Sequence, residues 1–325
     1  MSRSFSIAIL SDIHYASAAE QARGDDFEYR DLRNPLLRNA VRAFRHLIWM
    51  RYPLRHNPQL DRFLACVGQV DYVVANGDYS CGSGFVGVSD DAMMQSCVEC
   101  IGKLRAKFGD RLRLIFGDHE LGKLGAFEAR GGMRLESWRR AEGELGLRPF
   151  WRLELGNYIL LGVVSSLVAL PVFMLDTLPE ERPTWEQLRQ QHLAEIGAAF
   201  AALQPHQRVL LFCHDPSALP FLWREAAVRA KLPQIEQTVI GHLHSNLVLW
   251  KSKLLAGMPV IRFLGPAVRR WSTALNEARY WQLFQVRLCP SLAGIELLKD
   301  GGYFTVELQA AAQHPAQLTF HHLRR

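Results

Sequence analysis

The chain has 325 residues, 49% of them hydrophobic, and carries a net charge of +6 with a pI near 9.1. That length buries a sizeable core, and the lack of internal repeats or long low-complexity tracts excludes solenoid, fibrous and disordered classes. Of the 38 basic residues only seven are Lys; an Arg excess of this kind suits bidentate contact with an anionic partner, although high-GC codon usage would produce the same bias.

The first apolar run, Phe5 to Leu10, reads as a buried strand that delivers Ser11, Asp12, Ile13 and His14 at its C-terminal end. More residues follow before the next strand than one crossover helix requires, and residues 21–57 read as an insert. From Asn34 to Gln59 there is no acid. Leu37, Val41, Phe44 and Ile48 follow helical spacing, and Arg38, Arg42 and Arg45 turn away from them, so the segment reads as a basic amphipathic helix ending near Trp49. Such a helix either lies in the interface of an anionic membrane or docks on its own domain with the arginines in water.

Val70 to Gly82 follows, with the sequence VDYVVANGDYSCG, and its β-branched run stops at Asn76-Gly77-Asp78. Alone, strand-then-Gly-Asp is an ordinary turn signal. The same grammar recurs, however. Leu112 to Phe116 delivers Gly117, Asp118, His119 and Glu120; Val209 to Cys213 delivers His214 and Asp215; Thr238 to Ile240 delivers Gly241, His242, Leu243 and His244. Five strand ends supplying Asp and His are hard to explain as packing.

Asn157 to Leu175 is nineteen residues without a charge, long enough to span a bilayer. Tyr158 to Ser165 is needed as a central strand, and Ser165, Ser166 and Pro171 interrupt the rest, which argues against a spanning helix. Leu167 to Leu175 then reads as an apolar loop that is either buried or a second greasy patch. Thr184 to Leu203 reads as an amphipathic helix with Trp185, Leu188, Ile196 and Phe200 on the core side, and Pro216 to Lys231 as the helix after His214. Val260 to Leu264, Tyr280 to Leu288, Ile295 to Leu298 and Tyr303 to Leu308 look strand-like, and residues 310–325 look like a loose basic tail. The six Cys are scattered and no secretory signal precedes the first strand, so free thiols in a reducing cytoplasm are expected, with Cys97 and Cys100 as helix packing.

In order and strand context, D-x-H at Asp12 and His14, G-D at Asp78, G-D-H-E at Gly117 to Glu120, a lone His214 and G-H-x-H at His242 and His244 resemble the calcineurin-like metallophosphoesterases. The resemblance implies an α/β fold with a two-sheet β-sandwich flanked by helices, in one domain over residues 1–309, with the insert as an amphipathic cap or membrane-contact element. It implies two divalent metal ions, Mn²⁺ foremost and Fe, Zn or Mg otherwise. Asp78 would bridge them, Asp12, His14 and His244 would hold the first, and Asp118, His214 and His242 the second. A shared hydroxide would attack phosphorus in line, with His119 beside the leaving oxygen and Glu120 orienting the loop. On an extended segment the i and i+2 residues of D-x-H and H-x-H point to one side.

Two departures stand out. Asp118 replaces the family's usual Asn and adds a negative charge, and Cys81 stands where the Ser/Thr protein phosphatase branch has an acid. The basic helix, with Arg38, Arg42, Arg45 and Trp49 as contacts, and the apolar loop together suggest an amphiphilic phosphate substrate at the inner membrane surface. That resembles the branch hydrolysing UDP-2,3-diacylglucosamine in lipid A synthesis. The alternatives are a nucleotide phosphodiesterase or nuclease, although nucleic acid is the less expected partner, and a non-catalytic scaffold on the same fold.

Overall fold

A computed structural model describes residues 3–125, 130–263 and 265–323. Among the described residues, ten strands form two five-stranded sheets, ordered β10-β9-β1-β2-β3 and β4-β5-β6-β7-β8. The first contains β1 (Ser4–Leu10), β2 (Tyr72–Ala75), β3 (Leu112–Leu114), β9 (Gly302–Gln309) and β10 (Gln317–His322). The second contains β4 (Phe150–Leu155), β5 (Tyr158–Val163), β6 (Arg208–Cys213), β7 (Ile235–Ile240) and β8 (Val286–Leu288). β1, β2 and β3 run parallel, as do β5 through β8, while β9, β10 and β4 are antiparallel additions at the edges.

The continuous apolar runs have a simple cause: both faces of each central strand are covered. Alternation sends Ile7 and Ile9 between the sheets, where they meet Val74, Ile115, Leu160, Leu210 and Phe212. Ala8 and Leu10 face the other way, into a larger cluster with helical residues such as Leu60, Phe63, Cys97, Cys100 and Leu104. Phe212 is fully buried in the inter-sheet layer, and truncating it to Ala would cost about 3–5 kcal/mol.

The longer helices are α1 (Pro35–Leu47), α2 (Asn57–Cys66), α3 (Asp91–Phe108), α4 (Leu135–Gly143), α5 (Arg182–Ala201), α6 (Asn246–Leu254) and α7 (Pro266–Glu277). α1 starts at Pro35 because Asn34 accepts the N–H groups of Leu36 and Leu37 and Pro35 takes the first turn. α5 buries Trp185, Ile196 and Phe200, with Leu188 partly buried against the same core. α3 buries Cys97 and Cys100 as free thiols, in keeping with their reading as packing residues. No helix among the described residues is long and apolar enough to cross a membrane.

Several local expectations are corrected. Residues 317–322 are not a loose tail; they form β10, paired in register with β9 from Gln317 opposite Glu307 to His322 opposite Gly302. Residues 260–263 and 295–298 form no strand, and Leu264 lies outside the described residues. Tyr280 to Phe284 is a 3-10 turn, and only Val286–Leu288 of that stretch joins a sheet. Residues 216–231 form short helical pieces, Pro216–Ala218, Leu219–Arg224 and Ala226–Ala230, rather than one helix. Leu167 to Leu170 are fully buried in two short helical turns, so this stretch is core; Leu175 alone among its large apolar residues is well exposed.

Arg45 is the correction that bears on the site. It does not turn to water with Arg38 and Arg42; it is buried at 7% exposure, with its guanidinium paired to Glu28 at 3.1 Å. Val41 goes in beside it, while Leu37, Phe44 and Ile48 of the expected core stripe remain 39–47% exposed.

Candidate metal centre

Each ligand-type side chain follows the C-terminal end of a parallel strand, the position at which open α/β sheets present ligand sites. Asp12 and His14 follow β1, Asp78 follows β2, Asp118 and His119 follow β3, His214 follows β6, and His242 and His244 follow β7. The two sheets therefore contribute from both sides of one cluster.

Two groups hold the expected ligands, each with ligand atoms within 4.8 Å of one another: Asp78, Asp118, His214 and His242, and Asp12, His14 and His244; a third, His14, Asp78 and His119, overlaps both. His214 Nε2 lies 3.3 Å from Asp78 Oδ2 and 3.4 Å from Asp118 Oδ1, and His242 Nδ1 lies 2.9 Å from Asp118 Oδ1. His244 Nε2 lies 3.3 Å from Asp12 Oδ1 and 3.2 Å from His14 Nε2. Asp12 also comes within 4.0 Å of His214, which joins the two groups.

Convergence is not achieved by extended D-x-H and H-x-H segments, as the sequence suggested. Asp12, His14, Asp78, His242 and His244 all have left-handed backbone, with φ between 50° and 61°. Asp is among the residues that enter this region most readily and His tolerates it better than most, but each position costs free energy that surrounding contacts must offset. Those contacts are visible. His14 N donates to Asp78 O, Asp12 N to Gly77 O, and His242 N to both Asp12 carboxylate oxygens at 3.1 Å.

Glu120 fixes the loops from beneath. Its carboxylate accepts the N–H groups of Gly117 at 2.7 Å, Tyr79 at 2.8 Å and Asp78 at 3.1 Å. Burial and nearby Asp78 push its carboxyl up to about 8, against the pull of those donors. Gly117 has no alternative here, since a Cβ would overlap Asp78 Oδ1 and Asp78 N.

The donor set fits divalent cations. Backbone carbonyls orient the imidazoles from behind: Ser80 O takes His14 Nδ1 at 3.2 Å and Asn76 O takes His214 Nδ1 at 2.5 Å, which turns both Nε2 atoms inward. His214 Nε2 is buried with no hydrogen-bond partner. Burial and His119 hold His14 well below the usual imidazole value, and burial and His14 do the same for His244, so both present neutral rings. Three buried carboxylates meanwhile attract positive charge. Against the cost of burial, Asp78 and Asp12 raise His214. Imidazoles beside buried carboxylates form the mixed N and O environment that Mn, Fe and Zn favour.

His119 is part of the cluster in a different manner. Its Nδ1 meets Ser80 O at 2.9 Å, leaving Nε2 on the cleft side, 3.5 Å from Asp78 Oδ2 and in contact with Lys123 Nζ. Lys123 also lies 3.9 Å from Asp118 Oδ2. Sequence reading missed this lysine, because it follows the motif on a loop with no pattern of its own. It places a positive charge beside the acid that stands in for the usual Asn.

Above the cluster lies a cleft formed by adjoining cavities of about 430 and 320 Å³. Trp49 and Arg45 line both, Val172, Phe173 and Trp281 make the inner wall greasy, and Arg270 reaches in from α7. Trp49 packs on the His244 ring with centroids 4.7 Å apart. Arg270 is paired with Asp176. Of the four expected substrate or membrane contacts, Arg45 and Trp49 therefore border the site, whereas Arg38 and Arg42 sit on the outer surface of α1 beside Asp25 and Asp26.

A two-sheet sandwich with Asp and His gathered at its strand ends is the architecture of metallophosphoesterases. The chain belongs to the calcineurin-like phosphoesterase family, whose model matches residues 5–246. Membership indicates metal-dependent phosphoester hydrolysis with a dinuclear centre. No curated protein matches the chain. Among solved structures it is similar to GAP50, the anchor in the inner membrane complex of Plasmodium, at 10% identity and TM-score 0.43 over 98% of this chain and 84% of that one. It is also similar to a conserved uncharacterized protein, a predicted phosphoesterase, from Streptococcus pneumoniae, at 11% identity and TM-score 0.29 over 99% and 100% of the two chains.

Proposed function

We propose that the chain hydrolyses a phosphoester or pyrophosphate bond of an amphiphilic substrate at an anionic membrane surface, a substrate of the kind represented by UDP-2,3-diacylglucosamine. The observation that carries this reading is the juxtaposition of a dense Asp/His cluster with a cleft whose walls are aromatic and aliphatic. Asp12, His14 and His244 would hold one divalent ion, Asp118, His214 and His242 the other, and Asp78 would touch both; Mn²⁺ is the first choice. When bound, the pair supplies positive charge to the phosphoryl oxygens and an acidified water.

The remaining work falls to the chain. In this reading His119, whose Nδ1 donates to Ser80 O so that Nε2 is on the cleft side, would exchange a proton with the departing oxygen. Lys123, beside it, balances the extra charge of Asp118 and contacts the phosphoryl group. Arg45 and Arg270 line the cleft already paired with Glu28 and Asp176, and Trp49, Val172 and Phe173 offer an apolar surface for the greasy part of the substrate.

The test is Mn²⁺-stimulated release of p-nitrophenol from bis-(p-nitrophenyl) phosphate. Activity lost in Asp78→Ala and His119→Ala supports the enzyme. A folded, metal-loaded protein with no turnover would leave only a scaffold on this fold.

A further inference from the structure

The segment from Ser245 to Asn276 contains no acid, yet carries Lys251, Lys253, Arg262, Arg269 and Arg270. It repeats the composition of Asn34 to Gln59 at the other end of the chain. Within it, α6 buries Leu249 on one side but exposes Leu247, Trp250 and Leu254 on another, at 42, 62 and 70%. These three have the i, i+3, i+7 spacing of a helix face, a face aimed at solvent instead of core. Phe263 at 85% and Trp271 at 47% continue the exposed apolar surface.

α1 shows the same inversion, with Leu36 at 79%, Phe44 at 47% and Leu47 at 63% exposed. The two segments stand on either side of the cleft. Val41, Phe44 and Trp49 line it from the α1 side, and Val248, Ser252 and Trp271 from the α6 and α7 side. Residues 296–300 touch both, since Glu296 N donates to Trp49 O and Leu297 N to Ile48 O on one side, and Asp300 Oδ2 accepts from Ser245 Oγ at 2.7 Å on the other.

We propose that α6 and the loop into α7 form a second interfacial element, which with α1 seats the mouth of the cleft on an anionic lipid surface. The proposal rests on the reading of the cleft as the reaction site and adds the partner surface around it. Exposed Trp and Leu flanked by Lys and Arg, with acids excluded, is the pattern that inserts shallowly among headgroups while its cations meet lipid phosphate. Lys251, Lys253, Arg262 and Arg269 are exposed and make no ion pair among the described residues, so their charge is available. Two exposed apolar segments that themselves carry basic residues and no acid also fit lipid better than a protein partner, because a protein interface usually mixes both signs of charge.

The experiment is vesicle flotation of the full-length, Mn²⁺-loaded protein, with equal parts phosphatidylglycerol and phosphatidylcholine against phosphatidylcholine alone. The wild type is expected to float with the anionic vesicles only, and to be released by salt. Each basic residue near the surface is worth about fivefold in partitioning, so Lys251→Gln with Lys253→Gln weakens binding roughly 25-fold, as does Arg38→Gln with Arg42→Gln. Lys251→Arg with Lys253→Arg retains binding, and Leu247→Ser, Trp250→Ser and Leu254→Ser combined abolish it while each variant keeps the wild-type melting profile.

If the α6 variants bind as the wild type does, the inference falls and α1 alone is interfacial. If the wild type does not float, or sediments as a dimer that the triple Ser variant dissolves, the face has another occupant and the inference falls too. Hydrolysis of bis-(p-nitrophenyl) phosphate in the same preparations separates this outcome from failure of the enzymatic reading: lipid binding without turnover sinks only the latter.

Discussion

His14 Nε2 and His244 Nε2 face each other at 3.2 Å although 230 residues separate them in the chain. Ser80 O engages His14 at Nδ1, and His244 Nδ1 is buried without a partner, so two neutral rings present nitrogen to nitrogen. A divalent cation held by both Nε2 atoms would take the place of the hydrogen bond they share. Divalent metal at about 100 times its dissociation constant should therefore stabilise the fold by about 2.7 kcal/mol. A chelator should reverse the rise in melting temperature, and His14→Ala should largely erase it; a melting temperature indifferent to Mn²⁺, Zn²⁺ and Fe²⁺ would count against the metal centre.

Asp78 sits in the group with Asp118, His214 and His242 and also in the one with His14 and His119, approaching His214 at 3.3 Å and His119 at 3.5 Å. Against burial and Asp118, the facing His119 and His214 keep its carboxyl below the usual range, so it is ionised and ready to bind cations. Asp78→Asn should retain the left-handed backbone, which Asn tolerates, but lose metal stoichiometry and at least about 100-fold in turnover. Elemental analysis of the purified variant alongside the rate gives the answer.

Two glycines make a contrast. Gly117→Ala pushes a methyl into Asp78, and displacement of that carboxylate by a fraction of an ångström should cost on the order of 100-fold in kcat. Gly102 lies within α3, exposed, with open space at its missing Cβ, so Gly102→Ala should stabilise by about 0.5–1 kcal/mol without touching the rate. Denaturant midpoints and turnover for the two variants should move in these opposite ways.

Lys123 stands between His119 and Asp118. Lys123→Met should lower kcat/KM by about 10- to 100-fold, whereas Lys123→Met combined with Asp118→Asn should recover part of it, because the charge that the lysine balances is gone. Steady-state kinetics of the single and double variants measure the coupling, and strict additivity would rule the pairing out.

His192 provides a pH dependence away from the site. It is buried on α5, its Nε2 accepts the Val164 N–H at 3.0 Å, and burial lowers it from 6.5 to about 3. Between those values the unfolded chain binds a proton that the folded chain refuses, so stability rises with pH across that window and is lost on acidification. From pH 7 to pH 5 the loss should be about 2 kcal/mol. His192→Gln keeps an acceptor for Val164 and should flatten that slope; an unchanged slope in urea titrations at the two pH values would remove His192 as its source.

The Asp and His cluster was legible in the sequence because each of its members closely follows an apolar strand, and a strand buried on both faces cannot hide its pattern. From the residues alone came Asp12, His14, Asp78, Asp118, His119, His214, His242 and His244, the five main strands beneath them, and the α/β class. Tertiary structure decided what lies far apart in the chain. It turned D-x-H and H-x-H inward through left-handed backbone, buried Arg45 against Glu28, and brought Lys123 to His119. It also paired residues 317–322 with β9 and set the second acid-free segment opposite the first. Local periodicity reports which face a segment hides, but charge pairing, strand-edge partners and cleft walls depend on which surfaces the closed sandwich leaves available.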